Sequence, residues 1–149
     1  MVDANVLVSE LSRIRGRGLI ESPALSLRVS EEVLGETLHE LRNRAAKIVE
    51  RRRASREAAD KMLEDAAGSL ERGTAPVPRE VYAALEERAA YCIPRDPDDA
   101  QTVALALALG GDEGRCGIWT NDGDSLGRRL PPTWTTDTLL AHLRYGERV

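Results

Sequence analysis

Four acidic side chains stand where chemistry can be assembled: Asp3, Glu36, Asp99 and Asp122. Asp3 follows a very short apolar segment at Val2, and Asp122 follows the run Cys116 to Thr120 (CGIWT). Glu36 falls in the first turns of an expected helix, and Asp99 in the first turn of another, just after an apolar run. In an open parallel sheet, residues at the carboxyl ends of the strands face one crevice, so these four can converge from distant positions. Clustered carboxylates repel and raise one another's pKa, so such a group is stable mainly when divalent cations neutralise it. Oxygen donors without His or Cys suit Mg²⁺ or Mn²⁺. Two such ions would activate a water and stabilise both oxygens of an in-line displacement at phosphorus. Taken singly, an Asp at a helix start is usually a cap, and Asn121-Asp122-Gly123 is usually a turn. Only the joint pattern points to a site.

The elements that must position these acids follow from the apolar pattern. Short apolar runs at Leu25 to Val29, Tyr91 to Pro94, Cys116 to Thr120 and Thr133 to Thr135, with a fifth at Val2, read as strands buried on both faces. Helices fall between them. Asn5 is expected to cap the first, with an apolar stripe of Leu7, Leu11 and Ile14. Ser30 caps the next, with Val33 at its third position and Leu34, Leu38 and Leu41 behind it. Asp96 or Asp98 caps a helix over 99–109 whose run VALALALAL is apolar all round and therefore deeply buried. Thr136 and Asp137 open the last helix. Alternating strands and helices imply a parallel sheet covered by helices on both faces. Residues 42–90, rich in Ala, Arg and Glu, read as a helical arm of two or three helices within a single domain of residues 1–149.

With 149 residues the chain is long enough for one domain with a core of its own. Hydrophobic residues at 42% and charged residues at 31% describe a globular chain, and no apolar run is long enough to span a membrane. The start lacks the basic, then apolar, pattern of a signal peptide, which makes the cytoplasm the expected compartment. Cys92 and Cys116 form no CxxC pair and are expected to be reduced and buried.

The net charge of −4 argues against general binding of nucleic acid by the whole surface but leaves room for a local patch. Such a patch is residues 42–56, where seven basic residues against Glu50 give +6. There Arg44, Lys47 and Arg51 share one helix face, and Arg52 and Arg56 another, which makes Arg44, Lys47, Arg51 and Arg52 candidates for phosphate contact. The competing reading is a solvated face paired with nearby acids. Two other motifs lack context. Glu36 and His39 form one Glu-x-x-His pair where a di-iron site needs two. The block Gly123 to Gly127 (GDSLG) has no correctly spaced Asp and His after Ser125.

Taken together, VDANVL (2–7), SEEVLGETLHEL (30–41), RDPDDAQTVALALAL (95–109) and WTNDGD (119–124) resemble, in order and spacing, the acidic motifs of PIN domains, the nuclease fold of the VapC-like toxins. Residues 45–90 carry no motif of that family. The resemblance implies an α/β fold, a three-layer α/β/α sandwich with a short five-stranded parallel sheet. It implies hydrolysis of RNA phosphodiesters with Mg²⁺ or Mn²⁺. Asp3, Glu36, Asp99 and Asp122 fall on the family's acidic positions, Asn5 and Thr120 on polar positions beside the metals, and Asp124 on an outer acid. In that scheme Asp3, Asp99 and Asp122 hold metal, and Glu36 completes the site or orients the attacking water. The resemblance also implies a small antitoxin partner and a homodimer. Two alternatives stand beside it: a silent PIN-like module that binds RNA or protein without cutting, and a DNA nuclease on the same fold.

Overall fold

Ser30 shows how local chemistry sets the architecture. It ends strand β1 (Leu27–Ser30), and its Oγ accepts a hydrogen bond of 3.1 Å from the Val33 N–H, capping helix α3 (Glu31–Glu50) as the sequence leads one to expect. Val33, Thr37, Leu41 and Ala45, each four residues apart, form the buried stripe of α3. The computed structural model describes residues 1–93, 99–110, 116–121 and 131–146.

Before α3 come α1 (Ala4–Leu11) and α2 (Ile14–Ile20). After it, α4 (Arg56–Gly73) returns along α3 and packs against α1 and α2 as well. Strand β2 (Thr74–Val77) follows directly and pairs in parallel with β1, Leu27 opposite Thr74 and Ser30 opposite Val77. Two 3₁₀ turns lead to α5 (Glu86–Cys92). Then come α6 (Ala100–Ala108), β3 (Ile118–Trp119), β4 (Thr133–Trp134) and α7 (Thr136–Gly146). Strands β3 and β4 are parallel, and Val2 forms a parallel bridge to Trp119 on the other side of β3.

The chain is thus mixed α/β, mostly helical. Among the described residues there are two separate two-stranded parallel sheets and one bridge. The continuous five-stranded sheet is absent from them, because β3 and β4 pair over two residues each and no ladder joins β3 to β1. The helices still lie on both sides of the strands. One core gathers Val2, Leu7, Leu11, Val29, Leu41, Leu70 and Trp119; the other gathers Met1, Val77, Tyr82, Val103, Leu105 and Ile118. Met1 and Val2, like Ile118 and Trp119, send successive side chains to opposite cores, as the strand repeat of two demands.

Several expectations need correction. The first helix is capped by Asp3, not Asn5, and Ile14 is 81% exposed because it opens α2 instead of extending the stripe of α1. Tyr91 and Cys92 end helix α5; a run of four apolar residues is too short to distinguish a strand from a last helical turn. The stretch 42–90 is not wholly helical, since β2 lies inside it, and α3 enters it unbroken from Glu31. Cys92 and Cys116 are half-buried and form no disulfide. Among the described residues no helix is long and apolar enough to cross a membrane.

Candidate metal centre

Asp3 is placed by the backbone on both sides of it. Its N–H donates to the Trp119 carbonyl (3.0 Å), and the Trp119 N–H donates to the Met1 carbonyl (2.8 Å), so the bridge holds Asp3 beside the end of β3. Immediately after it, α1 begins, with the Leu7 N–H donating to the Asp3 carbonyl at 3.0 Å. The residue is 8% exposed. Its Oδ1 accepts from the Asn5 N–H at 3.4 Å, a long capping bond, and its Oδ2 accepts from Thr120 Oγ1 at 3.3 Å.

Thr120 is held from the other side by β4, its N–H donating to the Trp134 carbonyl at 2.9 Å. Gly117 permits this close approach of β3 and β4: a Cβ there would lie 2.6 Å from the Pro132 carbonyl oxygen. Asp99 precedes α6 in the N-cap position, yet its carboxylate makes no capping hydrogen bond. Asp3, Asp99 and Thr120 line one small cavity of about 20 Å³ together with Thr102, Ile93, Val103 and Ile118. That volume has room for an ordered water or an ion.

Two acids far apart in the chain therefore line the same space, at the carboxyl ends of the Val2 segment and β3. Glu36 does not line that cavity; it is exposed on the second turn of α3. Asn5 is exposed, and its backbone N–H, not its side chain, reaches Asp3. Asp122 and Asp124 lie outside the described residues, as do Ser125 and the cap candidates Asp96 and Asp98. Among the described residues no group of three or more His, Cys, Asp or Glu side chains is close enough to hold a metal ion.

The donor set is two carboxylates with threonine hydroxyls beside them. Such oxygen-only donors fit Mg²⁺ or Mn²⁺, which often bind through one or two carboxylates and keep several waters. Thr102 escaped the sequence reading, although its position three residues after Asp99 puts both on one helix face.

A second missed residue is Glu10, an acid on the buried stripe of α1 and only 6% exposed. Its Oε1 accepts from Thr136 Oγ1 at 3.0 Å, and that oxygen in turn accepts from Trp119 Nε1 at 3.1 Å. This ties α1, α7 and β3 together behind the cavity. His142 packs on Trp134 with ring centroids 4.8 Å apart, and His39 is exposed on α3.

Two acids thus line one cavity beside the ends of short parallel strands, in a mixed α/β chain. The family model described as PIN domain matches residues 1–144, and the chain belongs to that family. PIN domains are of nuclease type and typically use divalent metals. No curated protein and no solved structure gives a significant match to the chain.

Proposed function

We propose that this chain is a divalent-metal-dependent endoribonuclease and, by its likeness to VapC-like toxins, the toxin of a toxin–antitoxin pair. The observation that carries the reading is the meeting of Asp3 and Asp99 at one cavity, with Thr120 donating to Asp3. Asp3 and Asp99, joined by Asp122, would hold Mg²⁺ or Mn²⁺. Bound there, the ions would supply Lewis acidity toward a phosphodiester and a water of lowered pKa. The chain's own part is to bring two carboxyl groups to one cavity. The Thr120 hydroxyl fixes one rotamer of Asp3, and the apolar walls Ile93, Val103 and Ile118 limit water at the site. Glu36 would complete the site or orient the attacking water from α3, with Asn5 and Asp124 in supporting places.

A small antitoxin protein and a second copy of the chain are the partners this reading expects. A module that binds without cutting is favoured by one observation, the position of Glu36 outside the cavity. The deciding experiment incubates the purified protein with single-stranded RNA and DNA of the same sequence, with Mn²⁺, Mg²⁺ or chelator. Cleavage of RNA that needs metal and is lost in Asp3→Asn supports the nuclease. Cleavage of DNA alone assigns a DNA nuclease, and binding without cleavage assigns the silent module.

A further inference from the structure

Helix α3 ends in a turn whose chemistry the candidate site does not use. Arg51 is its C-cap; the Arg52 N–H donates to the Val49 carbonyl (2.9 Å) and the Arg53 N–H to the Ile48 carbonyl (3.0 Å). This is the pair of hydrogen bonds that closes a helix through one left-handed residue, a position glycine usually takes. Here Arg52 takes it, with φ of 51°, the sole non-glycine residue with positive φ among those described. A residue with a Cβ is strained in that conformation. A strained arginine standing where glycine would relax the chain points to a use for the side chain.

A second observation gives the use. Arg42, Lys47, Arg51, Arg52, Arg53 and Arg56 are exposed, and among the described residues none of them has a carboxylate at ion-pairing distance. Arg44 pairs with Glu40 at 3.4 Å. Unneutralised charge of one sign gathered on a chain of net −4 is a local field for a polyanion. The groove between α3 and α4 is a poor seat for an acidic peptide, because Glu50 and Asp60 line it beside Arg42 and Arg56. The three consecutive arginines instead stand clear of that groove on the turn. Guanidinium groups bind phosphate oxygens in bidentate fashion.

We propose that the turn joining α3 and α4 is a phosphate-gripping prong that holds a single-stranded RNA through Arg51, Arg52 and Arg53. The proposal rests on the ribonuclease reading for its ligand. Helix α3 carries the turn about 30 Å from Ser30 at the end of β1.

The test uses the full chain, a labelled single-stranded RNA of about 20 nucleotides without divalent metal, and a KCl series from about 50 to 200 mM. The variant in which Arg51, Arg52 and Arg53 are all replaced by Gln should bind about tenfold more weakly. Its log–log salt slope should be shallower by about 2, since each lost phosphate contact removes about 0.7 on a single strand. Arg52→Gly should raise Tm by about 2–4 °C while still weakening RNA binding, a combination that a structural role for Arg52 does not produce. Unchanged RNA affinity and slope in the triple variant overturn the proposal, including where that variant loses a protein partner instead. Cleavage separates the two readings. If the wild type cuts no RNA yet the triple variant loses RNA binding, the nuclease reading fails and the prong stands. If both cut that RNA with the same KM, the prong fails and the nuclease stands.

Discussion

Asp3 serves as helix cap and as cavity wall, and two substitutions separate these duties. Asp3→Ala removes the acceptor for the Asn5 N–H and the acceptor for Thr120 Oγ1. Loss of a cap costs about 1 kcal/mol, and loss of the bond from the threonine hydroxyl about 1 kcal/mol more. A total of about 2 kcal/mol lowers Tm by about 4–8 °C in a chain of this size. Asp3→Asn keeps a capping oxygen of nearly equal quality, and its amide can still engage Thr120. It also replaces one of the two carboxyl groups that line the cavity by a neutral amide, so the metal-free variant should melt close to the wild type.

Metal separates the wild type from Asp3→Asn. Mn²⁺ at about a hundred times its Kd should stabilise the wild type by about 2.7 kcal/mol, and Asp3→Asn should show no such gain. Asp99→Ala should lose the Mn²⁺ gain too, since it removes the other carboxylate lining the cavity. Thermal melts of the four proteins with MnCl₂ and with chelator give all these numbers. If metal-free Asp3→Asn melts as low as Asp3→Ala, or keeps the full Mn²⁺ shift, the assignment of Asp3 to a metal centre is wrong.

Three further outcomes follow. Gly117→Ala should cost about 1–3 kcal/mol in urea unfolding, because a Cβ there meets the Pro132 carbonyl and Trp134 Nε1 at 2.7 Å. Arg72 donates to both carboxylate oxygens of Glu21, at 2.9 and 3.3 Å, and holds its pKa below the ordinary glutamate value. The folded protein therefore binds this proton more weakly than the unfolded chain. The resulting stability is present in full above the ordinary glutamate pKa and is lost as pH falls through the lowered one. In Arg72→Gln the fall of Tm over that acidic interval should be shallower; equal slopes in both proteins would count against the pair. Tyr82→Phe should leave the unfolding free energy in urea unchanged or raise it by up to about 1 kcal/mol. Among the described residues the buried hydroxyl has no hydrogen-bond partner within bonding distance, so its removal leaves no group unpaired.

What could be read from the chain and what could not divides along physical lines. The Ser30 cap and the all-apolar face of α6 are local signals, and both elements form where expected. Val2, Ile118–Trp119 and Thr133–Trp134 were legible as short apolar runs between turns; that Val2 bridges Trp119 and that Thr133 lies opposite Ile118 appears only in the fold. Strand β2 was illegible because Thr74 to Val77 (TAPV) contains Pro76 and has no strand pattern; pairing with β1 creates it. Asp3 displaced Asn5 as the cap because the bridge to Trp119 ends there and the helix must start at once. In the candidate site, Asp3, Asp99 and Thr120 were legible as motif ends, and they meet. Glu36 is not placed with them, since a motif position on a helix does not say which way the exposed face looks. Glu10 was hidden because a buried acid on an apolar stripe is revealed only by its partner, Thr136, far along the chain.

The two indoles of this chain have a practical use. Trp119 is buried and shares its N–H with Thr136 at the start of α7, while Trp134 rests against His142 on the same helix. All of the protein's tryptophan emission is thus coupled to whether the last helix is seated. Because Trp119 also carries the backbone bond that orients Asp3, undocking of that helix and slackening of the acidic centre would register together as one spectral change.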